Sequence, residues 1–237
     1  MDYRPGMTTL LIATRNAHKV GEIRAILGGG FRLLTLNDFP GAPKVFEDAP
    51  TFAGNAAKKA VELAKWLVWK HSTFNIQHST PDSVLADDSG LEVDALNGAP
   101  GVHSARFAAM DSGKSGNTPD ANNNAKLLRL LADVPPEKRA ARFRCVIALV
   151  CVPDKKTEVA SPVCYADEFE PQIFDGVCEG RIIFSPRGNN GFGYDPLFTP
   201  IGHDQTFAEL GEDVKNKLSH RAKALEKLKQ FFGNKSR

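Results

Sequence analysis

Asp87-Asp88-Ser89-Gly90 is the segment of this chain best equipped for chemistry. It follows the apolar run Ser83 to Ala86 and sets two carboxylates side by side, which repel unless something compensates them. A divalent cation often does so, because hard cations take carboxylate oxygens. Serine and glycine directly afterwards permit a tight turn and a close backbone approach to a ligand. An ordinary Asp/Ser/Gly β-turn accounts for the same four residues. Glu47 and Asp48 are a second acidic source, ahead of a helix that carries Lys58 and Lys59. A solvated helix entrance and face is the usual fate of such charges.

Thr14-Arg15-Asn16-Ala17-His18-Lys19 lies where an apolar strand gives way to a helix. Free backbone N–H groups and the positive end of the helix dipole suit an anion there, and Lys19 adds a point charge. The commoner use of such residues is plainer: Thr14 or Asn16 caps the helix and Lys19 is solvated. Gly188 to Pro196 is glycine-rich and carries Phe192 and Tyr194. It has neither the Gly-Lys-Ser/Thr of a Walker loop nor the dinucleotide glycine pattern. An aromatic on such a loop can stack a planar base, or its rings can plug the core. Ser219-His220-Arg221 begins or interrupts the last helix, and Lys215 precedes it. These are surface groups of a helix or donors aimed at a ligand carbonyl. As a set, an acidic pair, dispersed lysines, a stacking loop and hydrogen-bond donors suit a nucleoside polyphosphate with a divalent cation.

The elements that must position these residues are legible in outline. Thr9 to Ala13 reads as a fully apolar strand feeding a helix that the triple glycine at 28–30 ends, and Phe31 to Leu36 reads as a second strand. A buried strand of this kind implies a sheet covered on both faces, hence an α/β fold. Phe52, Ala56, Ala60, Leu63 and Leu67 predict a helix over Phe52 to Trp69. Ser83 to Ala86 and Leu91 to Leu96 read as two short strands on either side of the acidic turn. Ala121 to Leu131 is a helix, and Arg142 to Val152, Thr157 to Tyr165 and Val177 to Phe184 are strands. Leu218, Ala222, Leu225, Leu228 and Phe232 make one stripe of the last helix. Residues 70–82 form a polar surface loop.

With 237 residues, 42% of them apolar and 24% charged, the chain can bury its own core without disulfides or a structural metal. A formal charge of +2 excludes a strongly polybasic nucleic-acid binder. The longest apolar stretch, Cys145 to Val152, is too short to span a bilayer, and the opening residues lack an apolar signal region. Cys145, Cys151, Cys164 and Cys178 have no metal-type or redox-type spacing, so reduced, mostly buried thiols are expected. These features predict a soluble cytoplasmic protein without membrane or nucleic-acid partners.

The same residues carry a family resemblance. Thr14-x-Asn16-x-x-Lys19, Thr51-Phe52-x-x-Asn55-Ala56, Ala86 to Leu91, Gly98 to Arg106, Phe192 to Pro196 and Ser219-His220-Arg221 occur in the order found in the inosine triphosphate pyrophosphatase family, and span residues 9–228. The chain is similar to that family over nearly all its length. The resemblance implies a two-lobed α/β fold with a long mixed sheet and a substrate cleft between the lobes, as a single domain over residues 8–232 with flexible termini at 1–7 and 233–237. It also implies a homodimer, and Mg²⁺-dependent hydrolysis of ITP, dITP and XTP to the monophosphate and pyrophosphate. Asp88 is then the general base and a metal ligand, with Glu47 and Asp87 as further metal-site residues. Thr14, Arg15, Asn16, Ala17, His18, Lys19, Lys59 and Ser89 would hold the phosphates. Phe192, Gly193, Tyr194, Asp195, Lys215, His220 and Arg221 would hold base and sugar, with Arg106 nearby. The stretches His71 to Asp82 and Pro153 to Gly176 are longer than the family's usual pattern and read as surface insertions.

Three rival readings are weaker. A pyrimidine-directed triphosphatase of the Maf-like kind does not account for Phe192 to Asp195 or for Ser219-His220-Arg221. A nucleotide-binding regulator without catalysis has no need of Asp88, Glu47 and Lys19 together. A nucleic-acid module is disfavoured by the small total charge.

Overall fold

Leu10, Leu11 and Ile12 are at most 1% exposed, as a strand covered on both faces requires. They belong to β1 (Thr9–Ile12), the first element of a computed structural model that describes residues 7–74, 80–113, 116–153 and 169–235. After β1 come α1 (Ala17–Leu27), β2 (Arg32–Thr35), α2 (Phe52–Phe74), β3 (Ser83–Val93), α3 (Asp120–Leu130) and β4 (Ala140–Cys151). They are followed by β5 (Gln172–Ile182), β6 (Phe198–Pro200), α4 (Phe207–Leu210), α5 (Glu212–Leu218) and α6 (His220–Lys235). The strands form one six-stranded sheet in the order β2-β1-β3-β4-β5-β6. β1 is parallel to β2 and to β3, with Leu10 opposite Ser83 and Ile12 opposite Leu85. β5 runs antiparallel to β6, with Arg181 opposite Thr199. The sheet is therefore mixed, and the α/β class expected from the sequence is the one found.

Several expectations fail, the acidic segment first. Asp87-Asp88-Ser89-Gly90 is not a turn between two strands; it lies inside the single eleven-residue strand β3. Alternation along a strand sends neighbouring side chains to opposite faces, so the two carboxylates are separated rather than opposed. Each then finds its own partner on a helix, and the strand continues. α2 also runs past Trp69 to Phe74, and Leu218 ends α5 instead of lying on the last helix. The strand expected at Thr157 to Tyr165, most of the insertion at 153–176, residues 75–79 of the other insertion, and the termini 1–6 and 236–237 lie outside the described residues.

The chain divides into two compact units, one formed by Met1–Asp88, Val146–Phe174 and Leu225–Arg237, the other by Ser89–Cys145 and Asp175–Ala224. In the first, Phe52, Ala56, Ala60, Leu63 and Leu67 of α2 are all buried, at helical spacing. Phe31 meets Phe232 of α6 edge to face, with ring centroids 5.0 Å apart. Thr51 caps α2 by accepting the Gly54 N–H at 3.0 Å, which sets the first turn that carries Asn55.

In the second unit, Leu91, Val93, Phe143, Leu197, Phe198 and Phe207 belong to one apolar cluster. Arg139 is buried beside it, with no carboxylate partner among the described residues. Its guanidinium donates instead to the carbonyls of Leu131 (2.7 Å), Val134 (3.3 Å), Ile182 (2.9 Å) and Ile183 (3.1 Å), which satisfies a charge that burial would otherwise make costly. Gly176 is required by close packing, since a Cβ there would lie 2.1 Å from the His220 carbonyl oxygen of α6. Cys145 and Cys178 are buried, as expected; burial pushes the Cys178 thiol up to about 11. Cys164 lies outside the described residues.

Candidate active site

Two groups of polar residues are buried deeper than their chemistry alone would place them, one in each unit. The first gathers on β3 around Asp87 and Asp88, which are 2% and 6% exposed. Asp87 is ion-paired through its carboxylate with Lys19 of α1, and its carbonyl accepts from Lys59 of α2 at 2.8 Å. Lys59 also bonds Glu47, 2.8 Å away. Asp88 accepts from the Asn55 amide, Nδ2 to Oδ2, at 3.0 Å. The cluster thus alternates acid and base, with each lysine tied to a carboxylate.

Asp88 stands apart electrostatically. Burial pushes its carboxyl up to about 6, against the pull of Lys59 and then Lys19 in the other direction. Glu47 raises it further and the Asn55 amide lowers it. A carboxylate poised near neutrality is what a general base needs, because it is ionised at working pH yet still basic enough to take a proton.

Asn55 carries more than the sequence reading assigned to it. Its side-chain oxygen accepts the Ala49 N–H at 2.9 Å, so one buried amide ties the Glu47-Asp48-Ala49 segment to Asp88. The available signal was its place in the first turn of α2, four residues after the Thr51 cap. Asn55→Ala is expected to lower kcat by about 10–100-fold, as loss of a residue that orients an active carboxylate does. It should lower stability by about 1–3 kcal/mol through loss of its bonds to Asp88 and to the Ala49 N–H. Steady-state kinetics and urea denaturation check both.

The turn Thr14 to Lys19 is a helix cap. Asn16 Oδ1 accepts from the N–H groups of His18 (2.9 Å) and Lys19 (3.2 Å), and Thr14 Oγ1 accepts from Asn16 N–H (3.2 Å). Arg15, Asn16, Ala17 and His18 are exposed, and Arg15 reaches the Ala42 carbonyl at 3.1 Å. The cap brings Lys19 to Asp87. Asp48 and Lys58, by contrast, form an exposed pair at 2.7 Å.

The second group surrounds the turn Phe192-Gly193-Tyr194-Asp195. Asp195 and Lys215 form a buried ion pair at 2.5 Å, with side chains 2% and 3% exposed. The same Asp195 oxygen accepts the Phe192 N–H at 2.8 Å, closing the turn. The Lys215 ammonium also lies 4.5 Å from the centroid of the half-buried Phe192 ring. Tyr194 is buried, and its hydroxyl donates to the Ser104 carbonyl at 2.9 Å. Burial raises its phenol pKa, with Asp120 adding to the rise. Of the two aromatics on this loop, Tyr194 fills the core and Phe192 keeps a partly open ring.

Ser219 starts α6 by accepting the Ala222 N–H at 3.2 Å. His220 is buried and stacks on Phe143, rings 4.8 Å apart and 12° from parallel. The Arg221 guanidinium, 1% exposed, donates to Ser89 Oγ at 2.8 Å, one residue along β3 from Asp88. Arg106 is half-buried in the turn that follows Gly101. The sequence reading missed Asp120 and Asn124 of α3, which bond the N–H and the carbonyl of Gly193 at 2.6 and 3.0 Å.

Among the described residues, no group of three or more His, Cys, Asp or Glu comes together as a preformed metal cage. The donors on β3 and its neighbours are carboxylate oxygens, which is the chemistry Mg²⁺ takes; that ion is usually held by one or two carboxylates with substrate phosphates and water completing its shell. Among the described residues, no helix is long and apolar enough to cross a membrane.

The chain thus combines a mixed α/β sheet, a lysine-flanked buried carboxylate and an aromatic–cation turn. The family model described as "Ham1 family" matches residues 10–231. The chain is 48% identical over 228 residues to a dITP/XTP pyrophosphatase of Geobacter sulfurreducens, covering 96% of this chain and 98% of that one. It is 45% identical over 224 residues to a dITP/XTP pyrophosphatase of Desulforamulus reducens, covering 94% of each. The structure of a HAM1 protein from Coxiella burnetii superposes with a TM-score of 0.72 at 35% identity, over 96% of this chain and 100% of the other. The chain belongs to the Ham1 family.

Proposed function

We propose that this protein hydrolyses noncanonical purine nucleoside triphosphates (ITP, dITP and XTP) to the monophosphate and pyrophosphate, removing them from the nucleotide pool. The observation that carries this reading is Asp88: a buried carboxylate with its acidity weakened to about 6, oriented by Asn55 and attended by Lys59 and Lys19. The names of the relatives support the substrate class.

In this reading Asp88 orients a water molecule or takes its proton. The water oxygen bonds to the α-phosphorus, the bond from that phosphorus to the bridging oxygen breaks, and pyrophosphate leaves with the electron pair. Lys19 and Lys59, with Thr14 to His18 and Ser89, receive the phosphate charge. Such prearranged cations act where negative charge grows in the transition state. Mg²⁺ is the cofactor proposed, with Asp88 and Glu47 as its protein ligands and Asp87 as a contributor; when bound it neutralises charge on the phosphate chain. Phe192 stacks the base, on a turn that Gly193, Tyr194, Asp195 and Lys215 build. Arg221, His220 and Arg106 serve base and sugar. Hypoxanthine and xanthine present an oxo acceptor where adenine presents an amino donor, so a guanidinium or backbone N–H facing that position would be left unpaired by adenine. A site built on such a bond discriminates by about 10⁴–10⁵. A homodimer, a cytoplasmic location and one catalytic unit over residues 8–232 belong to the same proposal.

Hydrolysis of ITP in water enriched in heavy oxygen tests the reaction. Attack at the α-phosphorus places the label in IMP and leaves pyrophosphate unlabelled. Label in orthophosphate or in pyrophosphate would remove the proposal.

A further inference from the structure

Gly193 is held on both sides of its backbone by one helix. Its N–H donates to Asp120 Oδ2 at 2.6 Å, and its carbonyl accepts from Asn124 Nδ2 at 3.0 Å. Asp120 and Asn124 are four residues apart on α3, so they stand one above the other on the same face. Gly193 has φ +63°, a left-handed backbone that a side chain would strain, so the residue is there for its conformation. Glycine adopts that conformation without strain, so what holds it in this one place is its hydrogen bonding.

The rest of the turn is fixed by other means. Tyr194 is anchored in the core through Ser104, and Asp195 ties the Phe192 N–H to Lys215. The Asp195 N–H also reaches the Phe192 carbonyl at 3.3 Å, so what remains to be held is Gly193 itself, whose N–H and carbonyl follow directly on the residue that carries the ring. The α3 clamp supplies that constraint.

We infer that Asp120 and Asn124 are positioning residues for the nucleobase: by gripping both polar groups of Gly193 they preorganise the Phe192 ring for stacking. Neither touches the reacting atoms, and the inference rests on the reading that Phe192 receives a purine. Preorganisation reduces the ordering that binding must otherwise accomplish, so its loss weakens binding of the base and leaves the phosphate chemistry intact.

Asp120 is exposed, so its substitution leaves the core untouched. Asp120→Ala is expected to raise KM for ITP about fivefold to tenfold with kcat nearly unchanged, the effect of losing one charge-assisted hydrogen bond. The inhibition constant of IMP, which carries the base, should rise with it. That of inorganic pyrophosphate, which lacks one, should stay. Asp120→Asn, which keeps an acceptor oxygen, should restore most of the loss, and Asn124→Asp, which removes the donor, should reproduce it. Unchanged KM and IMP inhibition in Asp120→Ala would overturn the inference, as would a parallel weakening of IMP and pyrophosphate, which marks a general structural effect. Absence of pyrophosphate release from ITP by the unsubstituted enzyme would remove the underlying reading itself, and that outcome is seen before any variant is made.

Discussion

Asp88→Asn is expected to abolish turnover and, at the same time, to make the fold more stable at neutral and alkaline pH. The catalytic loss follows from its proposed role, since a positioned base contributes about 10²–10⁴ in rate. The gain in stability follows from burial. The folded Asp88 carboxyl is pushed up from 3.8 to about 6. Its contribution to stability is therefore full below about pH 4 and is lost as pH rises through about 6, where the buried group must ionise. A shift of that size corresponds to about 2–3 kcal/mol at alkaline pH. Asparagine never ionises, and its side-chain oxygen can still accept from Asn55. Urea denaturation without divalent cations should show the variant more stable than the parent by up to that amount near pH ~8, with the difference closing toward pH ~4. A variant less stable at both pH values would show that the Asp88 charge is compensated in the fold. With Mg²⁺ bound beside it this carboxyl would ionise more readily, so the acid limb of kcat/KM for the parent enzyme should lie below about 6 and move down as Mg²⁺ is raised.

Lys215→Met should be the most destabilising change at the site. The Lys215–Asp195 pair is almost entirely buried. Removing one partner of such a pair leaves an uncompensated charge and costs about 3–5 kcal/mol. Asp195 retains the Phe192 N–H, which is a fraction of its present satisfaction. The double variant Lys215→Met with Asp195→Asn should recover a large part of the loss, because the stranded charge is gone. Equal stability of the single and double variants would contradict this account. The single variant should also loosen Phe192, since the same ammonium stands over its ring.

How much of this was legible in the sequence depends on the range of the interaction. The Asn16 cap, the buried face of α2 and the strand character of Thr9 to Ile12 are local patterns, and the structure has them. The acidic segment misled because Asp, Ser and Gly are turn formers; what makes them a strand is the supply of partners from α1 and α2, which no window of β3 contains. Ordered motifs pointed to the family, yet they did not sort Phe192 from Tyr194, adjacent-but-one aromatics of which only Tyr194 is buried in the core. Lys215 with Asp195, and α3 with Gly193, meet across 20 and about 70 residues of chain without any periodicity to announce them.

The proposed reaction is release of pyrophosphate from noncanonical purine triphosphates, ITP, dITP and XTP. Pyrophosphate release from ITP, XTP, GTP and ATP, each with Mg²⁺ and with chelator, tests it most directly. Strong release from ITP and XTP is expected with Mg²⁺, with IMP and XMP as products, little from ATP, and none with chelator. Orthophosphate as the product, or equal rates on all four nucleotides, would contradict it.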